Sequence, residues 1–115
     1  MPNVTSAARA YEAAANHRSA REQEADVFRR AVGALRLARD SEPISRTRAI
    51  ADNRRLWLAV TDLMRDPGNA LPEELRASIV SVGLAVQHEM DRPVPDFDFL
   101  ISINEHFAEG LSANG

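Results

Sequence analysis

Residues 45–91 read SRTRAIADNRRLWLAVTDLMR, DPGN, ALPEELRASIVSVGLAVQHEMD, and the middle of this stretch decides the fold. Asp66-Pro67-Gly68-Asn69 separates two long helical patterns, because proline disfavours the α conformation in the residue before it and glycine permits the chain to reverse. Before the break, from about Ser45 to Asp66, Ile50, Asn53, Trp57, Val60 and Met64 share one helical face, joined by Leu56 and Leu63. After it, Pro72 stands at a first helical position, with Glu73 and Glu74 favourable to the positive end of the helix dipole. From there to about Asp91, Leu75, Ile79, Val82, Val86 and Met90 form one stripe, and Val80 and Leu84 an adjoining one.

These two segments predict a central helix hairpin with a loop of about six residues. The apolar arc of the second is wider than one neighbour needs. That helix is either central in the bundle, the arrangement the pattern favours, or it offers one flank as a docking surface.

Three further helical segments flank the hairpin. The first, about Thr5 to Asn16, is Ala-rich with Tyr11 its only large nonpolar side chain, so it is helical by propensity and leans on another surface. The second opens with Ser19 and Glu22 at capping-box spacing and runs to about Asp40 on a stripe of Val27 or Phe28, Ala31, Leu35 and Ala38. The last follows Arg92-Pro93-Val94-Pro95, starts at an Asp96 cap, and lines up Phe97, Leu100, Ile101, Asn104, Phe107, Ala108 and Leu111. Gly110 near its end allows close approach of another backbone. No stretch alternates with a period of two, so the fold class is all-α: a small single-domain bundle of about five helices over residues 1–115, frayed at 1–4 and 112–115.

A chain of 115 residues has room for one hydrophobic core. Having no cysteine, it can form neither a disulfide scaffold nor a thiolate zinc site, which fits a cytoplasmic protein. Neither a leader-like start nor a membrane-length apolar run is present. The net charge of −3 is small but uneven. Residues 1–66 hold 12 Arg against 9 acids, or +3, and residues 67–115 hold 2 Arg against 8 acids, or −6. This is a modest dipole.

Little in the sequence suggests chemistry. His88-Glu89 begins like a metalloprotease helix, but that site needs two imidazoles at i and i+4, and Arg92 occupies the second position. His17 and His106 have no ligand-like spacing either. Asp96 and Asp98 read as one cap and one dipole partner. Without a cysteine, a nucleophile elbow or a phosphate-binding glycine loop, we expect a protein that is not an enzyme and uses no cofactor or metal.

Asn53, between Ile50 and Trp57, and Asn104, between Leu100 and Ala108, lie on otherwise apolar stripes. A buried amide without a partner costs about 1–3 kcal/mol. These two therefore bond a neighbouring backbone or each other and fix helix register, or one of them bonds a partner's helix. Trp57 reads as core before hot spot, and Arg54 and Arg55 as a solvated face.

Asn53-Arg54-Arg55-Leu56-Trp57, Leu71-Pro72 with Leu75-Arg76-Ala77-Ser78-Ile79-Val80, Ile103-Asn104, Gly110-Leu111 and Ala10-Tyr11 together resemble the FlaF family over roughly residues 8–111. The resemblance implies a factor of flagellum biogenesis that contacts flagellin, favours its synthesis or export, and works with a FlbT-like regulator. It makes Asn53, Arg54, Trp57, Leu71, Pro72, Asn104 and Leu111 family motif residues. With Val80 and Leu84 from the wide arc, these are the candidate partner-binding residues. Glu105 follows Asn104 where the family pattern puts Arg, which implies a partner surface of altered charge. Two other functions compete: direct binding of flagellin mRNA through the Arg-rich first half, which lacks aromatic stacking platforms, and a homo-oligomeric helical scaffold.

Overall fold

The computed structural model describes the backbone of residues 2–113, and side-chain surroundings for residues 5–12 and 22–111. Among the described residues the chain forms four helices and no strand: α1 (Pro2–Arg39), α2 (Pro43–Arg65), α3 (Glu73–Met90) and α4 (Phe97–Ala113). All five segments read from the sequence are helical, and the first two run together as α1. Nothing between them breaks the ladder, and an Ala-rich lead-in with strong helix propensity carries it past residue 19. A capping signature marks a start only where the preceding residues do not already continue the helix. The Ser19 side chain, His17 and the expected frayed ends fall outside the residues whose surroundings are described.

The helices alternate in direction. Arg39 beside Asp98 and Phe28 against Phe107 set α1 antiparallel to α4. Arg54 beside Asp91 and Thr61 opposite Gly83 set α2 antiparallel to α3. α1 lies along both α4 and α2, whereas α3 packs principally against α2. The central position favoured for this helix is therefore not what forms: α3 is an edge element. Its wide arc is explained by two faces, since Val86 and Met90 reach the shared core while Leu75 and Leu84 stay exposed. The first segment also departs from expectation, because residues 5–12 are all exposed, with Tyr11 at 71%, and no surface of this chain covers them.

One core joins the helices. Phe28, Val32 and Leu35 of α1 meet Trp57 of α2, Val86 and Met90 of α3, and Phe97, Leu100 and Ile101 of α4. Phe28, and not Val27, belongs to this stripe. An aromatic cluster sits at its centre. Trp57 meets Phe107 edge-on at 4.9 Å and Phe28 edge-on at 5.9 Å, while Phe28 stacks on Phe107 at 5.6 Å. Such arrangements add about 0.5–1.5 kcal/mol per pair beyond area burial.

Side chains, more than glycine, build the connections. Asp66 Oδ1 accepts the Gly68 N–H at 2.9 Å, Asn69 Oδ1 accepts the Leu71 N–H at 2.9 Å, and Asn69 Nδ2 donates to the Leu63 carbonyl at 2.8 Å. Gly68 does not use a positive φ, so the reversal comes from these local turns. Asp96 caps α4 as expected, accepting the Phe99 N–H at 3.1 Å. Glu89 fixes the preceding loop by accepting the Asp96 N–H at 2.9 Å and pairing with Arg92. The Asp96 N–H, helped by the Arg92 charge, holds the Glu89 carboxyl below its usual range, against partial desolvation.

The close approach assigned to Gly110 belongs to Gly83 instead. A Cβ on Gly110 would meet nothing within 4 Å, whereas one on Gly83 would lie 2.7 Å from Thr61 Oγ1 and 3.6 Å from Trp57 Cε3. Thr61 has little freedom to yield, because its hydroxyl donates to the Trp57 carbonyl at 2.8 Å. Gly83 thus lets α3 sit directly on α2.

Three substitutions test these features. Gly83→Ala should destabilise the fold by about 1–3 kcal/mol in urea denaturation, with Thr61→Ala in the same chain recovering part of the loss. Gly33→Ala, at an exposed α1 position where a Cβ meets nothing within 4 Å, should instead stabilise by about 0.5–1 kcal/mol through helix propensity. For Glu89, a folded-state pKa below the unfolded value means stability that is present above the ordinary Glu range near about 4.3 and lost as pH falls through the folded value. Glu89→Gln should lower stability at neutral pH, and its gap from the parent should close on acidification.

Candidate functional site

A chain of side-chain hydrogen bonds crosses the middle of the bundle. Trp57 Nε1 donates to Asn104 Oδ1 at 2.9 Å, Asn104 Nδ2 donates to Asn53 Oδ1 at 2.7 Å, and Asn53 Nδ2 reaches Met90 Sδ at 3.3 Å. The indole sets its direction. Because Trp57 can only donate, Asn104 must present its oxygen to the indole and its amide N–H to Asn53. Asn53 then accepts with its own oxygen and donates from its amide nitrogen to the weak thioether acceptor. The spacing of these residues puts them one above another on α2 and α4. All three polar groups are essentially shielded from solvent, Asn53 at 2% and Asn104 and Trp57 at 0% exposure.

Of the two roles open to the asparagines, the bond between them is the one formed. Among the other candidates, Arg54 reaches across to α3, donating to Asp91 at 2.6 Å and Gln87 at 3.2 Å. Leu71 and Pro72 are exposed in the hairpin loop, Leu84 is exposed on α3, and Val80 and Leu111 are half-buried. The motif residues therefore divide. Asn53, Trp57 and Asn104 hold the interior, Arg54 clamps the hairpin, and Leu71, Pro72 and Leu84 face outward.

Ion pairs account for much of the uneven charge. Arg36 of α1 pairs with Glu105 of α4, Arg39 of α1 with Asp98 at 2.6 Å, and Arg54 of α2 with Asp91. The basic first half is thus neutralised in part by the acidic second half of the same chain. Glu105, where the resemblance leads to the expectation of Arg, is one of these intramolecular partners.

Two surface grooves border α1. One, about 470 Å³, lies between α1 and α4 and is charged, with Arg29, Arg36, Glu105 and Glu109 around Val32 and Ala108. The other, about 320 Å³, lies between α1 and α2 and is more apolar, with Val27 and Leu56 as walls and Ala31, Ala34 and Ala49 as a shallow floor. Asn53 borders it from below, so the polar chain sits under this groove. Sequence reading missed it. The signal was the choice between Val27 and Phe28 on one stripe, since the structure buries Phe28 and leaves Val27 at the groove.

The family model for flagellar protein FlaF matches residues 7–111. No curated protein and no solved structure matches the chain. The matched span runs from the exposed start of α1 to Leu111 and takes in the whole polar chain.

A double-mutant cycle tests that chain. Asn104→Ala should cost about 2–4 kcal/mol, because it strands the indole N–H and an Asn53 oxygen together, and Asn53→Ala should cost less. The double variant should lose less than the sum of the two, by about 0.5–3 kcal/mol, read from equilibrium denaturation.

Proposed function

Because the chain belongs to the FlaF family of flagellar proteins, we propose that it is a non-catalytic binding factor that holds flagellin before filament assembly and so promotes flagellin synthesis or secretion. The observation that carries this reading is apolar surface left open after the core has closed. Leu58 and Leu63 of α2 and Leu75 and Leu84 of α3 are each about half exposed. Polypeptide segments that form amphipathic helices bind small bundles by laying an apolar face into such a surface. Flagellin's helix-forming ends need this shielding until they assemble. A chaperone-like role asks for no cofactor and no reaction.

The site of action we propose is the cytoplasm, where flagellin is made, with a FlbT-like regulator as a second partner. Among the described residues no helix is long and apolar enough to cross a membrane. Direct binding to flagellin mRNA is the weaker reading, because Arg36, Arg39 and Arg54 are engaged with carboxylates and would have to exchange them for phosphates.

Size exclusion of the purified chain with purified flagellin tests this. A co-eluting complex that persists at moderate salt is the expected result. A chain that elutes alone, or a complex with flagellin mRNA in its place whose affinity falls by orders of magnitude between low and physiological salt, would overturn it.

A further inference from the structure

We propose that the outward crest of α1 is a docking surface for a second copy of this chain, which joins it in an antiparallel two-fold dimer. The proposal goes beyond flagellin binding and uses none of the surface assigned to it. Asp26, Arg30, Gly33, Leu37 and Asp40 alternate in spacing between i+4 and i+3, so they form one seam along the helix, and all of them are exposed. Leu37 is 82% exposed, more than any other large hydrophobic residue described, while α4 and α2 cover α1 on its other faces. The seam pairs this knob with a hole. Gly33 belongs to the floor of the α1–α4 groove, and a Cβ there would meet nothing within 4 Å, so another chain can approach its backbone. When two copies of α1 lie antiparallel and cross at the level of residue 35, Leu37 of each copy falls on Gly33 of the other. The same register sets Arg30 of each copy opposite Asp40 of the other.

Charge selects this occupant and this register. Among the described residues Arg30 takes part in no ion pair, and its Nε reaches only the Asp26 carbonyl, at 3.4 Å. Asp40 has only Arg39, at 3.8 Å, and Arg39 is held by Asp98 at 2.6 Å. Within one chain Arg30 and Asp40 stand about 15 Å apart along the helix and cannot meet. Other arrangements lose the match. Crossing at Gly33 would set Asp26 of each copy against Asp40 of the other, and crossing at Leu37 would leave Arg30 opposite Ile44. A parallel pairing would set every charge of the seam against its own counterpart. A two-fold contact of this kind closes at a dimer and does not extend into a fibre. Its overlap, from Asp26 to Asp40, is about 20 Å long. That places it at the small end of specific interfaces, so the dimer is weak and concentration-dependent.

Sedimentation equilibrium of the full chain alone, over a series from about 10 μM to about 1 mM, tests the proposal. A monomer–dimer equilibrium is the expected result. Leu37→Glu should abolish it and leave the thermal melt of the dilute protein unchanged, since Leu37 covers little of its own chain. Arg30→Asp and Asp40→Arg should each weaken the dimer by about tenfold or more. The two together should restore it to within about threefold of the parent, a rescue that contacts inside one chain cannot produce. Val94→Asp, at an exposed loop position off the seam, should change nothing. A monomer throughout the series, a dimer indifferent to Leu37→Glu, or a double reversal no tighter than the single ones would overturn the proposal. So would a dimer that Leu84→Asp dissolves, because self-association would then belong to the α3 flank.

Discussion

The buried indole N–H of Trp57 is the constraint on which the rest of the bundle depends. A tryptophan at 0% exposure brings the largest apolar surface available into the core together with one donor that must be satisfied there. Asn104 supplies the acceptor, which leaves the Asn104 amide to be satisfied by Asn53, and Asn53 in turn by Met90. Each step moves the requirement to another helix. By the time it ends on a thioether, α2, α4 and α3 have been fixed in one register. A slip of any of them would strand an amide in a low-dielectric interior.

The remaining contacts work around this fixed centre. Gly83 brings α3 close enough to α2 for Met90 to serve as the last acceptor, and Arg54 with Asp91 holds the far end of the same pair. Arg36 and Arg39 tie α1 to α4 across a partly exposed surface. Pairs of that kind contribute little stability individually. Their value is in choosing which faces meet, and in directing the basic half of the chain toward the acidic half. α1 is then held on one side by the ion pairs and on the other by the groove over Asn53, where alanines leave the surface open.

Much of this was legible in the sequence, and the omissions have physical causes. The hairpin around Asp66-Pro67-Gly68-Asn69, the Asp96 cap and the inward faces of α2 and α4 follow from breakers and period, which are local signals. Asn53 and Asn104 stood out because amides on apolar stripes demand partners, and the partner proved to be each other. The join of the first two segments was lost because a capping pattern is read as a start even where strong helix formers precede it. Gly83 passed unnoticed, and Gly110 was given its role, because close approach is a property of two helices and neither sequence carries it alone. The same holds for α3, whose wide arc does not say how many neighbours it has. The α1–α2 groove was hidden for a related reason: small residues at 31, 34 and 49 mark a floor only once the helices that carry them are known to be adjacent.

The most direct measurement of the central claim is hydrogen exchange at the Trp57 indole Nε1–H, followed by NMR across a denaturant series. A donor buried and bonded at the centre of one cooperative unit should exchange only when the whole bundle unfolds, with the same free energy and denaturant dependence as the global transition. Exchange at the rate of a free indole, or through a local opening with little denaturant dependence, would contradict the claim that this bond holds the helices in register.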